Sequence, residues 1–192
     1  VPAIIRDVGD QPGTLPLLQY ALTELFEKRK NHTLTKAAYQ SIGGVLGALG
    51  RRAEEVFSSL NEDEQAAARQ LFLRLVTLGE GTEDTRRRVL RAELEGLTTK
   101  DTKEVTKDAK KESLSGLREN LRGLRVSKAL EAVIESFGKH RLLAFDRDPI
   151  TRGPTVEVAH EALLREWPRL REWLNESRAD VRLQRQLAIA AT

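Results

Sequence analysis

Leu130, Val133, Ile134 and Phe137 stand at i, i+3, i+4 and i+7, and the same helical period recurs in the apolar residues along most of the chain. A chain patterned in this way must bury one stripe of each helix against another element, so the spacing predicts a mainly α fold. Near the start, Leu17, Leu18, Ala21, Leu22, Leu25 and Phe26 make one such stripe. Pro16 opens it, at a position where a missing N–H has no helical partner to lose. Asp10–Gln11–Pro12–Gly13 just before it reads as a turn. Thr35 is the expected N-cap of a short helix that stops at Gly43–Gly44. Leu49, Ala53, Val56, Phe57 and Leu60 share one face of a helix expected from Leu46 to Leu60. Residues 1–60 are therefore expected to form a small helical subdomain.

Asn61 and Glu64 have the spacing of a capping box, and Glu62 and Asp63 suit the positive end of the helix they open. Its inner stripe reads Ala68, Leu71, Phe72, Leu75 and Val76, with Gly79 and Gly81 as the stop. Thr85 to Leu90 reads as one short strand. Residues 97–126 look like an insertion, within which 97–112 is a solvated loop or an exposed helix of alternating charge. A helix capped by Ser127 and ended by Gly138 follows. Arg141–Asp146 and Pro154–Ala159 then flank a loop containing Asp148–Pro149 and Gly153–Pro154, the signature of a hairpin. From His160 to Leu174 the helical period returns in Leu163, Leu164, Trp167, Leu170, Trp173 and Leu174, with Pro168 kinking or restarting the helix. The order helix, short strand, helix, helix, hairpin, helix predicts a winged-helix domain over 61–175, with the hairpin as its wing. Residues 176–192 read as the start of a further, linking helix.

Composition removes several function classes. Of 192 residues, 40% are hydrophobic and 32% charged, a core-forming and water-compatible balance. No apolar run reaches the roughly 18–20 residues of a membrane span, and Val1 to Asp10 lacks the parts of a signal peptide. Without cysteine there is no disulfide framework, zinc ribbon or thiol chemistry. His32, His140 and His160 are far apart and none lies in an H-E-x-x-H pattern, so no metal site is assigned. The 32 basic and 29 acidic residues leave a formal charge of +3, which permits nucleic-acid contact without arguing for it. The absence of methionine and the start at Val1 lead us to expect a fragment or a processed product.

No catalytic residue is assigned either. There is no G-x-x-x-x-G-K-[ST] sequence: Gly138–Lys139 is followed by His140, and Val133 stands five residues before Gly138. The glycines of Gly43 to Gly50 have no lysine hook, and read as a helix junction with a phosphate loop as the alternative. No G-x-S-x-G context is present, and Asp146 and Asp148 suit a turn better than acid catalysis. By itself the chain is not expected to be an enzyme.

Two stretches carry a resemblance. Gly13-Thr14-Leu15-Pro16-Leu17-Leu18-Gln19-Tyr20-Ala21-Leu22 resembles the G-x-P segment that opens the helical domain after the nucleotide-binding core of STAND signal-transduction ATPases. Val156-Glu157-Val158-Ala159-His160-Glu161-Ala162-Leu163-Leu164-Arg165-Glu166-Trp167 resembles the end of their winged-helix domain, where a histidine closes the wing, as in the M-H-D motif of NB-ARC proteins. The nearest likeness is to the bacterial novel STAND NTPases found upstream of WD repeats, and it covers the chain apart from about 97–126. The resemblance implies a cytoplasmic regulatory arm that folds over ADP bound to an adjoining P-loop core and releases when ATP replaces it. It implies Pro16 near the adenine and His160 at the diphosphate. It also implies an intact protein that is an ATPase switch, with WD repeats beyond this region and an oligomer as the activated form. Ala159 and Glu161 depart from the M-H-D pattern, which leaves the role of Glu161 open.

Elementary chemistry is compatible with that role for His160. A helix N-terminus favours an anion, and an imidazole there can donate an N–H to phosphate. Losing one charge-assisted bond of this type costs about 1.5–3 kcal/mol, enough to move a two-state switch by roughly tenfold or more. The alternative is that His160 only packs or caps at the strand–helix junction. Two further readings compete. A winged helix can bind DNA, but the candidate recognition helix offers Lys128 against Glu131 and Glu135; Arg86, Arg87, Arg88, Arg118, Arg122 and Arg125 would have to form the basic patch. An interaction scaffold without nucleotide contact would need an exposed docking surface, to which Trp167 and Trp173 could belong unless they are core.

Overall fold

A computed structural model describes residues 2–8, 14–79, 82–95 and 114–190, with side chains for 3–8, 15–79, 82–94 and 124–179. Helices α1 (Pro2–Val8), α2 (Thr14–Glu27), α3 (Lys36–Ser41), α4 (Gly44–Ser58) and α5 (Glu62–Arg74) come first. The strands β1 (Val76–Thr77), β2 (Thr85–Arg86) and β3 (Val89–Leu90) lead into α6 (Arg91–Glu95). Then follow α7 (Leu114–Lys139), β4 (Leu143–Arg147), β5 (Pro154–Val158), α8 (Leu163–Glu166) and α9 (Pro168–Ala190). The described chain is thus mostly helical, with two small antiparallel sheets ordered β1–β2 and β3–β5–β4. It divides into two compact units, Val1–Val56 with His160–Thr192, and Phe57–Ala159. The expected boundaries at residues 60 and 175 differ from this division, because everything from His160 onward clusters with the first helices.

In the first unit the local signals act as expected at α3 and α4. Thr35 Oγ1 accepts from Ala38 N at 3.1 Å and caps α3. Gly43 and Gly44 then take φ of +85° and +70°, a region open to glycine, and turn the chain into α4. Leu49, Ala53 and Val56 are buried along α4. Trp167 is extended, as a residue before proline prefers, and Pro168 begins α9, so the proline restarts the helix. The separate helix expected from 176 is instead the continuation of α9, since Asn175 to Asp180 contain no glycine or proline.

The inner face of α2 departs from the expected stripe. Leu17, Ala21 and Leu25 are buried, but Leu22 and Phe26 are 37% and 57% exposed. Buried in their stead are Tyr20 and Glu24, completing the pattern i, i+3, i+4, i+7 and i+8 from Leu17. A reading by hydropathy passes over both because their side chains are polar. The turn expected at Asp10–Gly13 lies outside the described residues.

The second unit starts from the capping box. Asn61 Oδ1 accepts from Glu64 N, and Glu64 Oε2 accepts from Asn61 N, both at 3.0 Å. Ala68, Leu71 and Phe72 of α5 are buried, and Phe72 meets Phe137 of α7 edge to face at 4.9 Å. Three expectations are corrected here. First, α5 ends at Arg74 rather than at the glycines beyond, because β-branched Val76 and Thr77 are taken into pairing with Arg86 and Thr85. Second, Thr85–Leu90 is two strands: β2 pairs with β1 and β3 with β5, and between them Arg87 N donates to Leu75 O at 2.7 Å.

Third, α7 is one helix from Leu114, so Ser127 lies in its middle and caps nothing. Leu114, Leu117, Leu121 and Leu124 already keep helical spacing, and no proline interrupts them. The remainder of the expected insertion, 97–113, lies outside the described residues. The helix ends at Lys139, one residue past Gly138, in a Schellman motif. Leu142 N donates to Phe137 O at 3.0 Å and Arg141 N to Gly138 O at 2.9 Å, with Arg141 at φ +55°. Gly138 has another use: a Cβ there would come within 2.7 Å of the Phe145 ring. The hairpin forms as expected, pairing Leu143↔Val158 through Arg147↔Pro154. Its loop is fixed by Asp148, whose Oδ1 accepts from Ile150 N at 3.1 Å and Thr151 N at 2.7 Å.

Candidate functional site

His160 follows β5 and precedes α8, and belongs to the first compact unit. Its ring meets Tyr20 of α2 edge to face, with centroids 5.5 Å apart and planes at 70°. Pro16 is exposed in the first turn of α2, four residues before Tyr20. Residues i and i+4 of a helix are neighbours on one face, with Cβ atoms about 5–6 Å apart. Pro16 and His160, distant in sequence, are thus both neighbours of one tyrosine.

Beyond Tyr20 lies a charged cluster that sequence reasoning missed. Glu24, one turn further along α2, is buried, and its carboxylate accepts from Arg52 Nε of α4 at 2.8 Å. A second bond joins Arg52 Nη2 to the same oxygen. The guanidinium also approaches Glu55 at 3.3 Å and Glu27 at 3.6 Å. A buried carboxylate is tolerated only when it is paired, and Arg52 supplies the pairing. Burial, with the Glu24 charge behind it, pushes the Tyr20 hydroxyl pKa well above its ordinary value, so Tyr20 stays neutral at any physiological pH. Tyr20 stood inside the Pro16 motif and could have been singled out by its i+4 spacing. Glu24 and Arg52 are 28 residues apart with no pattern linking them.

The helix-end argument for anion binding at His160 weakens in this setting. α8 has only four residues, and its N-cap, Ala162, makes no side-chain capping bond. The His160 carbonyl accepts from Leu163 N at 2.9 Å, and that of Glu161 from Leu164 N at 3.0 Å. A single turn carries little aligned dipole, so the helix end adds little to anion binding here. Glu161 is exposed.

The other candidates separate clearly. Among the Gly43–Gly50 glycines, Gly47 and Gly50 lie within α4, and Gly47 N is spent on Gly43 O at 3.1 Å. Asp7 Oδ2 sits 2.7 Å from where a Gly44 Cβ would be. A helix junction faced by a carboxylate does not cradle phosphate, which removes the phosphate-loop alternative. Arg86 Nη1 donates to Ala159 O at 3.3 Å, Arg87 pairs with Glu93 at 2.9 Å, and Arg88 pairs with Glu157 and Asp146, each at 3.2 Å. Carboxylates thus offset the charge of the exposed Arg87 and Arg88, while Arg86 meets a backbone carbonyl. Arg118 and Arg122 lie outside the described side chains. Lys128, Glu131 and Glu135 are exposed on α7 as expected, and Glu131 pairs with Arg91.

Trp167 and Trp173 are buried and meet edge to face at 5.4 Å. They are core, and mark no docking surface. Among the described residues no group of three or more His, Asp or Glu could hold a metal ion, and no helix is long and apolar enough to cross a membrane.

Against this geometry, the family model of Novel STAND NTPase 1 matches residues 1–192. Neither a curated protein nor a solved structure matches the chain.

Proposed function

The chain belongs to the novel STAND NTPase 1 family, and from that membership we propose that it is the regulatory arm of a STAND-type signalling ATPase. In this reading a P-loop core joined to the chain holds the nucleotide and carries out any hydrolysis. The arm closes over bound ADP, keeps the resting state, and releases when ATP takes its place. Pro16 lies against the adenine and His160 donates to the diphosphate. The partners are the core, WD repeats in the intact protein, and further copies once activated. The setting is the cytoplasm of a bacterium.

The observation that carries this reading is the contact of His160 with Tyr20 at 5.5 Å, one turn from Pro16. It sets His160 beside a ring whose own helix carries Pro16 one turn earlier, which supports giving both residues a nucleotide role. The residues present fit ADP as a supplementary contact. Tyr20 is neutral, and the charge of the buried Glu24 behind it is offset by Arg52. One imidazole is too little to hold a nucleotide alone, and most of the binding falls to the core.

The strand order β3–β5–β4, with the hairpin directly after α7, supports reading the second unit as a winged helix. The pairing of Arg87 and Arg88 with carboxylates lowers the positive charge this unit can offer a DNA backbone.

The test is a calorimetric titration of ADP into this chain and into the chain joined to its P-loop core, each with and without His160→Ala. Tight binding to the joined protein alone, weakened by roughly tenfold or more in the variant as for one lost charge-assisted bond, is the expected outcome. Equal affinity in both joined proteins would remove His160 from the nucleotide site.

A further inference from the structure

Within unit one, the His160 imidazole is held by a neighbour that has no assigned role. Tyr20 is almost wholly buried, its ring lies edge-on to the imidazole, and its hydroxyl is kept neutral by its surroundings. An aromatic pair in this arrangement has a preferred geometry, positive edge toward negative face, and so restricts how the imidazole ring turns. Tyr20 is in turn fixed from below. It shares the inner face of α2 with Glu24, which is tied to α4 through Arg52. The tie leaves α2 little freedom to roll, since turning it would pull a buried carboxylate from its only compensating bonds to Arg52 among those described.

We propose that Tyr20 is a positioning residue for His160: it sets the plane of the imidazole, and with it the direction in which the ring can donate to a polyanion, while the Glu24–Arg52 pair holds Tyr20 in register. This role rests on the nucleotide reading above. It goes beyond that reading by assigning part of the nucleotide affinity to a side chain that does not touch the nucleotide. It is the ring of Tyr20 that meets His160, edge to face at 5.5 Å. Preorganisation of this kind strengthens binding without adding a contact, by removing orientations that the imidazole would otherwise have to give up.

The experiment compares four variants of the chain joined to its P-loop core: Tyr20→Phe, Tyr20→Leu, His160→Ala and Tyr20→Leu/His160→Ala. ADP affinity is read by calorimetry, and thermal unfolding shows that each variant is folded. Tyr20→Phe keeps the ring and is expected to stay within about twofold of the parent, well under 1 kcal/mol. Tyr20→Leu keeps an apolar side chain but loses the ring, and is expected to weaken ADP by a factor approaching that of His160→Ala. The double variant is expected to bind no more weakly than His160→Ala alone, since two residues acting through one contact are not additive. A purely structural role for Tyr20 would instead make the two losses multiply, and that result overturns the proposal. So does parental affinity in Tyr20→Leu beside a weakened His160→Ala, an outcome that leaves the nucleotide reading standing. Parental affinity in His160→Ala would refute that reading and this role together.

Discussion

The indole N–H of Trp167 donates to the Glu54 carboxylate at 2.9 Å, joining residues 113 apart in sequence, and the same carboxylate accepts from Arg169 Nε at 3.0 Å. Trp167 is fully buried, at the extended residue between α8 and α9. Its N–H has to be satisfied inside the fold, and one glutamate on α4 does so while anchoring the first turn of α9. Glu54→Ala leaves that N–H without its acceptor. A loss of about 1–3 kcal/mol is expected, read as a lower urea midpoint at unchanged slope. Glu54→Gln keeps an acceptor for the indole and should lose less.

Two glycines of the same helix should respond in opposite directions. A Cβ on Gly50 would lie 1.9 Å from the Glu166 carbonyl oxygen, and backbone cannot swing aside as a side chain can. Gly50→Ala is therefore expected to destabilise by about 1–3 kcal/mol or more, as overpacking does. Gly47 has nothing within 4 Å of the same position. Gly47→Ala is expected to stabilise by roughly 0.5–1 kcal/mol through helix propensity alone. Thermal unfolding of the two variants side by side checks both signs at once.

Tyr39 gives the first unit an alkaline limit. Its hydroxyl donates to Asp7 Oδ2 at 2.6 Å, and burial, reinforced by that bond and the Asp7 charge, pushes its pKa from 10.0 up to about 12. A folded-state value above the unfolded one means stability that is complete below pH 10.0 and is lost as pH rises toward about 12. Tyr39→Phe removes the hydrogen bond, which is worth about 1 kcal/mol at neutral pH. It should also flatten the fall in melting temperature over that alkaline window. A variant that keeps the parental alkaline slope would show that Tyr39 does not set it.

Much of this was legible in the sequence where the cause is local. The Asn61–Glu64 capping box, the Thr35 cap, the Pro168 restart and the Asp148–Gly153 hairpin loop each depend on a few adjacent residues, and each forms as the chemistry of those residues requires. The start of α7 was not legible, because Ser127 has the look of an N-cap and only the longer leucine spacing shows that the helix is already under way. Its end was legible to within one residue, at Gly138, although the left-handed position of the Schellman motif holds Arg141 where glycine is usual.

The candidate site was legible in part. Pro16 and His160 came from two short motifs, and the match of the family model over 1–192 accords with the STAND resemblance those motifs carried. What joins them did not show. Tyr20 and Glu24 are polar residues on an inner helix face, where a hydropathy pattern looks for leucines. Glu24 is tolerated there only because Arg52 arrives from another helix. Such a pairing is a tertiary fact, and no periodicity in either helix announces it.

The claim that His160 meets core-bound ADP is tested most directly by the imidazole nitrogen resonances of the chain joined to its P-loop core, labelled with ¹⁵N-histidine. His32 and His140 serve as internal references in the same spectrum. Adding ADP should move the His160 resonances and leave those of His32 and His140 in place. His160 resonances that stay fixed while ADP saturates the core would contradict the account.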